Sequence, residues 1–203
     1  MNKIDTVEAL EALYGQPGET SLVKEVDYLT TEYRTFIEKS PFCMLATTGP
    51  EGLDCSPRGD VPGFVRVHDD RTLLMPDRRG NNRVDSLRNI VRSPQIALCF
   101  IIPGSLNALR VNGEAYLSID PEIKASFAVD GKEPRSVIVM RTQAVYFQCG
   151  RAIVRSRLWD LDAQVDPSDL PTPGEMLASL SKGSVGGKDY DAAWEDRAKN
   201  SLW

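Results

Sequence analysis

Between residues 42 and 149, short runs of β-branched and apolar residues follow one another, separated by turns or by single small helices. Residues 42–48 (FCMLATT) read as a buried strand closed by the turn Gly49-Pro50-Glu51-Gly52, with 53–57 as its hairpin partner. Pro62-Gly63 breaks the chain before 64–68, and Asp69-Asp70 turns it again before 72–75. Residues 95–102, 109–119 and 136–149 are further β-rich runs, with a candidate kink at Asn112-Gly113. Val84, Leu87, Ile90 and Val91 recur at offsets of three and four, which predicts a helix over 82–92 ending before Pro94. Pro121 opens a shorter helix. About six strands at this spacing predict a mainly β fold with peripheral helices, an antiparallel barrel closed or nearly closed. There is no GxGxxG after the first strand and no GxxxxGK[ST], so parallel nucleotide-binding folds lose their main support.

The flanks differ from this middle. Residues 5–13 and 27–39 have helical spacing, the second with Tyr28, Tyr33, Phe36 and Ile37 on one stripe, and GQPGETS at 15–21 separates them. Residues 161–203 form a polar, acidic, helical tail broken by PTPG at 171–174. The expected organisation is therefore an N-terminal helical segment (1–40), a barrel domain (41–160) and a tail (161–203) packing on the barrel or on a second subunit. At 203 residues, 41% apolar and 26% charged, the composition is globular. The longest apolar run, 96–103, is strand-sized and far short of a membrane span. The first 30 residues carry Asp5, Glu8, Glu11 and Glu19 and no signal core, so the expected compartment is the cytoplasm. Cys43, Cys55, Cys99 and Cys149 lie far apart without a CxxC pair, and free thiols are expected. His68, the one histidine, follows an alternating run and should face solvent at a strand end, so neither a zinc site nor a histidine triad is expected.

The net charge of −5 conceals a division. Residues 1–40 carry four basic against eight acidic residues and 160–203 carry four against nine, whereas 41–159 carry sixteen against twelve. The excess concentrates in 77–92 and 141–160, and both stretches use Arg almost without Lys. Planar guanidinium forks suit a phosphate or carboxylate on a small ligand, and the acidic flanks argue against nucleic acid.

Three motifs carry the candidate chemistry. CSPRGD at 55–60 sets Ser56, Arg58, Gly59 and Asp60 at a strand end, where Gly59 allows close backbone approach to a ligand and Arg58 offers a fork of donors. MPDRRGNNR at 75–83 brings Gly80, Asn81, Asn82 and several arginines to the predicted start of a helix, whose free N–H groups attract phosphate. Asn81 or Asn82 can also serve there as a plain N-cap. VRSRLWD at 154–160 places Trp159 beside Arg155 and Arg157, a pairing suited to covering a flat heteroaromatic ring. An amphipathic helix with Trp159 as a packing anchor accounts for the same string.

In this order the three motifs resemble the pyridoxamine 5′-phosphate oxidase-like family of FMN-binding split barrels, over roughly residues 30–160, and look closest to its branch of FMN-dependent enzymes. The resemblance implies a six-stranded antiparallel Greek-key split barrel, an FMN-dependent oxidoreductase activity on a small molecule, and a homodimer with FMN at the subunit interface. It implies that Arg58, Arg83, Ser56, Asn81 and Asn82 contact the FMN phosphate and ribityl chain. Gly59, Asp60, Met75 and Pro76 would lie along the flavin, and Arg155, Arg157 and Trp159 would come from the second subunit or close the groove. No catalytic acid or base is implied. The RLHDR-like substrate motif of pyridoxamine 5′-phosphate oxidase itself is missing; the nearest string is Arg157-Leu158-Trp159-Asp160, so the resemblance does not extend to oxidation of a vitamin B6 phosphate. A flavin-binding protein without turnover, or a split barrel using haem or a deazaflavin, are the alternatives.

Overall fold

The computed structural model describes residues 2–202. Helices α1 (Val7–Tyr14), α2 (Glu19–Leu22) and α3 (Thr31–Lys39) precede strands β1 (Phe42–Gly49), β2 (Gly52–Gly59), β3 (Arg66–Val67) and β4 (Thr72–Pro76). Helix α4 (Asp85–Arg92) leads to β5 (Gln95–Ile101) and β6 (Ala108–Ser118), and α5 (Pro121–Ser126) leads to β7 (Val137–Gln148). Helix α6 (Arg151–Ser156) and two short 3₁₀ turns run on to α7 (Pro173–Leu180), α8 (Lys188–Ala192) and α9 (Trp194–Ser201).

The strands form one antiparallel sheet in the order β2-β1-β5-β6-β7-β4-β3. It has seven strands where about six were expected, and the Phe64 to His68 run is reduced to a two-residue strand. Phe64 and Val65 leave the ladder to enter the core instead. Alternation along β1 and β5 buries Cys43, Leu45, Ile96, Leu98 and Phe100 on one face, where they meet Ile37 of α3, Ile90 of α4 and Met75 of β4. Each such side chain contributes about 1.5 to 3 kcal/mol by leaving water. The expected kink is present: the β6–β7 register shifts between Asn112 and Gly113, where a Cβ on Gly113 would overlap the Arg141 carbonyl. Among the described residues no helix is long and apolar enough to cross a membrane.

Two helix starts differ from the sequence reading. Helix α3 begins at Thr31, not 27, because Thr30 caps it through the Tyr33 N–H while Val26 bridges Val145 of β7. Helix α4 begins at Asp85, not 82, and neither Asn81 nor Asn82 caps it; Val84 holds the N-cap position in the left-handed region (φ 54°) without a side-chain cap. Its placement over β1 is fixed by the buried hydrogen bond from Asn89 Nδ2 to Thr47 Oγ1, 3.1 Å, and by Gly49, where a side chain would collide with Asn89. The start of α4 thus stands over the inward face of β2.

Candidate functional site

Strand β2 is an edge strand, and its alternation turns Asp54, Ser56 and Arg58 toward α4 while Leu53, Cys55 and Pro57 face outward. Ser86, buried in the first turn of α4, joins the three. Its hydroxyl donates to Asp54 Oδ2 at 2.5 Å and accepts from Arg58 Nη2 at 3.2 Å, and Ser56 Oγ donates to the same carboxylate at 2.9 Å. Arg58 Nε is buried with no partner among the described residues. An unsatisfied buried donor costs about 1 to 3 kcal/mol, and such groups cluster where a ligand supplies the missing acceptor.

The 77–84 segment forms the opposite wall. Asp77 is tied down by its N–H to Ser136 O. Arg78 Nε meets the fully buried Asp60 carboxylate at 2.8 Å, and Arg78 Nη1 donates to Phe127 O at 2.8 Å. Asn81 Oδ1 accepts from the Arg83 N–H, and Asn82 Oδ1 accepts from Arg135. Asn82 and Val84 both have positive φ, a costly state for β-branched valine that concentrates at functional sites. Between this segment and β2 lies a cleft of about 510 Å³ whose lining includes Ser56, Arg58, Asp77, Asn81, Asn82 and Arg83.

Five of the residues expected at the phosphate therefore come together here: Ser56, Arg58, Asn81, Asn82 and Arg83. Arg83 is exposed and pairs with Asp85 at 2.8 Å, which holds its guanidinium above the usual range. Gly59 and Asp60 border an adjoining cleft that shares Arg78, Gly80 and Asn81 with the first and has Trp194 and Leu202 on its far side. The tight approach at Gly59 is to Pro41 O and the Phe42 ring, not to open space. Met75 and Pro76 are both buried, and the Met75 side chain is part of the core, because β4 is a covered strand between β7 and β3. Nor do Arg155, Arg157 and Trp159 close this groove within the chain. Arg157 pairs with Asp160 and Asp162, Trp159 Nε1 donates to Ser105 O at 2.7 Å, and Arg155 is exposed. His68 is exposed at a strand end, and the four cysteines are free, with Cys43 buried and its thiol pushed up to about 12 chiefly by that burial.

Sequence reasoning missed Asp54, Asp77, Asp85 and Ser86, which supply the negative and hydroxyl half of the site. Burial raises the Asp77 carboxyl above its ordinary range, with Arg58 and Arg135 opposing. The period-two string Asp54-x-Ser56-x-Arg58 was the available signal for the first of them.

The sequence model of pyridoxamine 5′-phosphate oxidase matches residues 29–149, more than half of the chain. The chain belongs to the pyridoxamine 5′-phosphate oxidase-like family. Among solved structures, a histidine-to-alanine variant of HupZ from Group A Streptococcus is similar at 18% identity and TM-score 0.50, over 59% of this chain and 99% of that one. A protein from Lactobacillus delbrueckii described as a candidate pyridoxamine 5′-phosphate oxidase is similar at 21% identity and TM-score 0.48, over 60% and 95%. A Clostridium acetobutylicum protein related to general stress protein 26 matches at 15% identity and TM-score 0.44, over 58% and 86%. No curated protein sequence matches. The matched region of this family member runs from Leu29 to Cys149 and so contains all of β1 to β7, both walls of the cleft included.

Proposed function

We propose that the cleft between β2 and the 77–84 segment binds FMN, and that the protein is an FMN-dependent oxidoreductase acting on a small molecule. Family membership supports the cofactor class, and Arg58 carries the reading. A buried guanidinium nitrogen without a partner among the described residues, next to hydroxyls and an α4 start lacking a side-chain cap, fits the oxygens of a phosphorylated polyol chain. In this reading Ser56, Arg58, Asn81, Asn82 and Arg83 hold the phosphate and ribityl chain, while the Gly59 to Asp60 segment and the backbone at Pro76 border the ring. When bound, FMN supplies two-electron hydride chemistry at its ring N5. The chain's own residues bind and orient: Asp54 fixes the Ser56 and Ser86 hydroxyls, and the buried Asp60–Arg78 pair holds the 77–84 wall in place.

A homodimer with FMN at the subunit interface is part of the same proposal. Its support is the outward face of β1 and β5, where Phe42, Met44, Ala46, Ala97, Cys99 and Ile101 are apolar although the core lies on the other side. Covering such a face with a second copy brings another chain beside β2, and Arg155, Arg157 and Trp159 of that copy are the candidates to complete the site. Cytoplasmic residence also belongs to this reading.

A visible spectrum of the purified protein, followed by heat release and mass identification of the chromophore, is the deciding experiment. Released FMN, reducible in place by NADH or NADPH, is the expected result. A colourless protein that refuses added FMN removes the reading, and a deazaflavin or haem replaces FMN if its mass is found. A bound flavin that no nicotinamide or candidate substrate reduces leaves a binding protein without turnover.

A further inference from the structure

Asp77 stands where two clefts meet. It lines the 510 Å³ cleft together with Arg58, and also a second cleft of about 260 Å³ on the other side of the 77–84 segment, lined by Lys132 and Arg135. Its backbone is anchored on Ser136 O, so its position is set by β7's approach and not by a side-chain contact. The carboxylate itself makes no hydrogen bond and no ion pair among the described residues, although Arg58 and Arg135 are near enough to draw its proton affinity down against burial. In the same cleft lining, Arg58 donates through Nη2 to Ser86, and its Nε has no partner among the described residues.

A guanidinium with an unused donor and a carboxylate that accepts no hydrogen bond among the described residues therefore line one cleft. A phosphate oxygen would satisfy Arg58 and be repelled by Asp77. A hydroxyl satisfies both, because it accepts from an N–H while donating its own proton to a carboxylate. We propose that Asp77 is a ligand-contacting residue of the groove, which clasps, together with Arg58, one hydroxyl of a phosphorylated polyol chain. The inference rests on the FMN reading, whose ribityl phosphate is such a chain, and it adds a specificity element: the groove recognises the chain between ring and phosphate, and an acid beside the phosphate site disfavours a bare anion.

Flavin fluorescence titrations test this with wild type, Asp77→Ala and Asp77→Asn, each against FMN and against the analogue whose ribityl chain is an unsubstituted pentyl chain ending in phosphate. Wild type is expected to prefer FMN by roughly tenfold or more. Asp77→Ala brings the preference down by most of that factor, and Asp77→Asn, whose amide oxygen still accepts, keeps an intermediate value. The same preference in all three proteins overturns the role of Asp77, as does a wild type that binds both flavins equally. If the alanine variant fails to fold, the near-isosteric asparagine decides alone, an unchanged preference again counting against Asp77. A wild type that binds neither flavin overturns the cofactor reading and this inference with it.

Discussion

The two arginine-rich stretches, 77–92 and 141–160, look alike as sequence and behave differently in the fold. In the second, Arg157 is about half exposed and is held by two near neighbours in sequence, Asp160 and Asp162, in an arrangement that needs nothing else. In the first, Arg78 reaches back across 18 residues to an aspartate whose side chain is fully buried, and the wall it stiffens faces a strand whose own arginine has its Nε buried without a partner among the described residues. Charge density does not distinguish these cases; the distance along the chain to the partner does. A local pair is a surface detail, whereas a long-range buried pair assembles a site.

The widest gap between the regions should appear in stability. Asp60→Ala removes a fully buried carboxylate from Arg78 and takes away the acceptor of the Val61 N–H, so a loss of about 3 kcal/mol is expected in denaturant unfolding. A loss below about 1 kcal/mol would mean that this pair behaves like the exposed ones. In binding, Arg58→Ala should weaken FMN by about 1.5 to 3 kcal/mol, read by fluorescence titration, because a charge-assisted donor is removed. An unaltered Kd would take Arg58 out of the site. Arg83→Ala should cost less, about fivefold or below in Kd, since Asp85 already occupies the exposed guanidinium. The chain's charge pattern alone puts Arg83 on a par with Arg58; the Asp85 contact is what lowers it.

Arg157→Ala sharpens the comparison further. Among the described residues its side chain pairs only with Asp160 and Asp162, so Tm should stay within about 2 °C. If FMN affinity nevertheless falls by tenfold or more, the second stretch acts on the groove of a neighbouring copy, and the apolar outer face of β1 and β5 is the surface that brings it there. An unchanged Kd would leave the second stretch as local salt bridges only.

What was legible in the sequence follows the same division. Alternation and turn residues carry β1, β2, β4 to β7 and the Gly113 irregularity, because these depend on neighbours two to four residues away. The shrinkage of the 64–68 run to two paired residues, and the delayed start of α4, depend on what Phe64, Val65 and Val84 meet in three dimensions. At the site, the cleft-lining group of Ser56, Arg58 and the 81–83 residues was readable from motif and charge. The burial of Met75 was not readable, because a strand-end residue in an apolar run gives no sign of which face is covered. Asp77 was passed over because an acid inside a basic motif reads as a counter-ion, and only the structure shows that its carboxylate makes no hydrogen bond among the described residues.

Asp77 also provides the smallest and most discriminating comparison, between the free protein at two pH values. Its folded-state pKa lies above the ordinary 3.8, with burial as the larger cause and the guanidiniums of Arg58 and Arg135 opposing. The folded protein therefore keeps this proton to higher pH than the unfolded chain does. The associated stability is fully present below about pH 4 and is lost as pH rises through the folded-state pKa, so at neutral pH the ionised carboxylate is a net burden on the fold. Asp77→Asn should accordingly raise Tm at pH 7 and leave it nearly unchanged near pH 3, measured without flavin and at matched ionic strength. A lower Tm at pH 7 would mean that attraction to Arg58 and Arg135 outweighs desolvation, and that the acid is there to hold the two arginines. A higher one would mean that this segment of the wall gives up stability to keep an acceptor open to the groove, as ligand-contacting residues do.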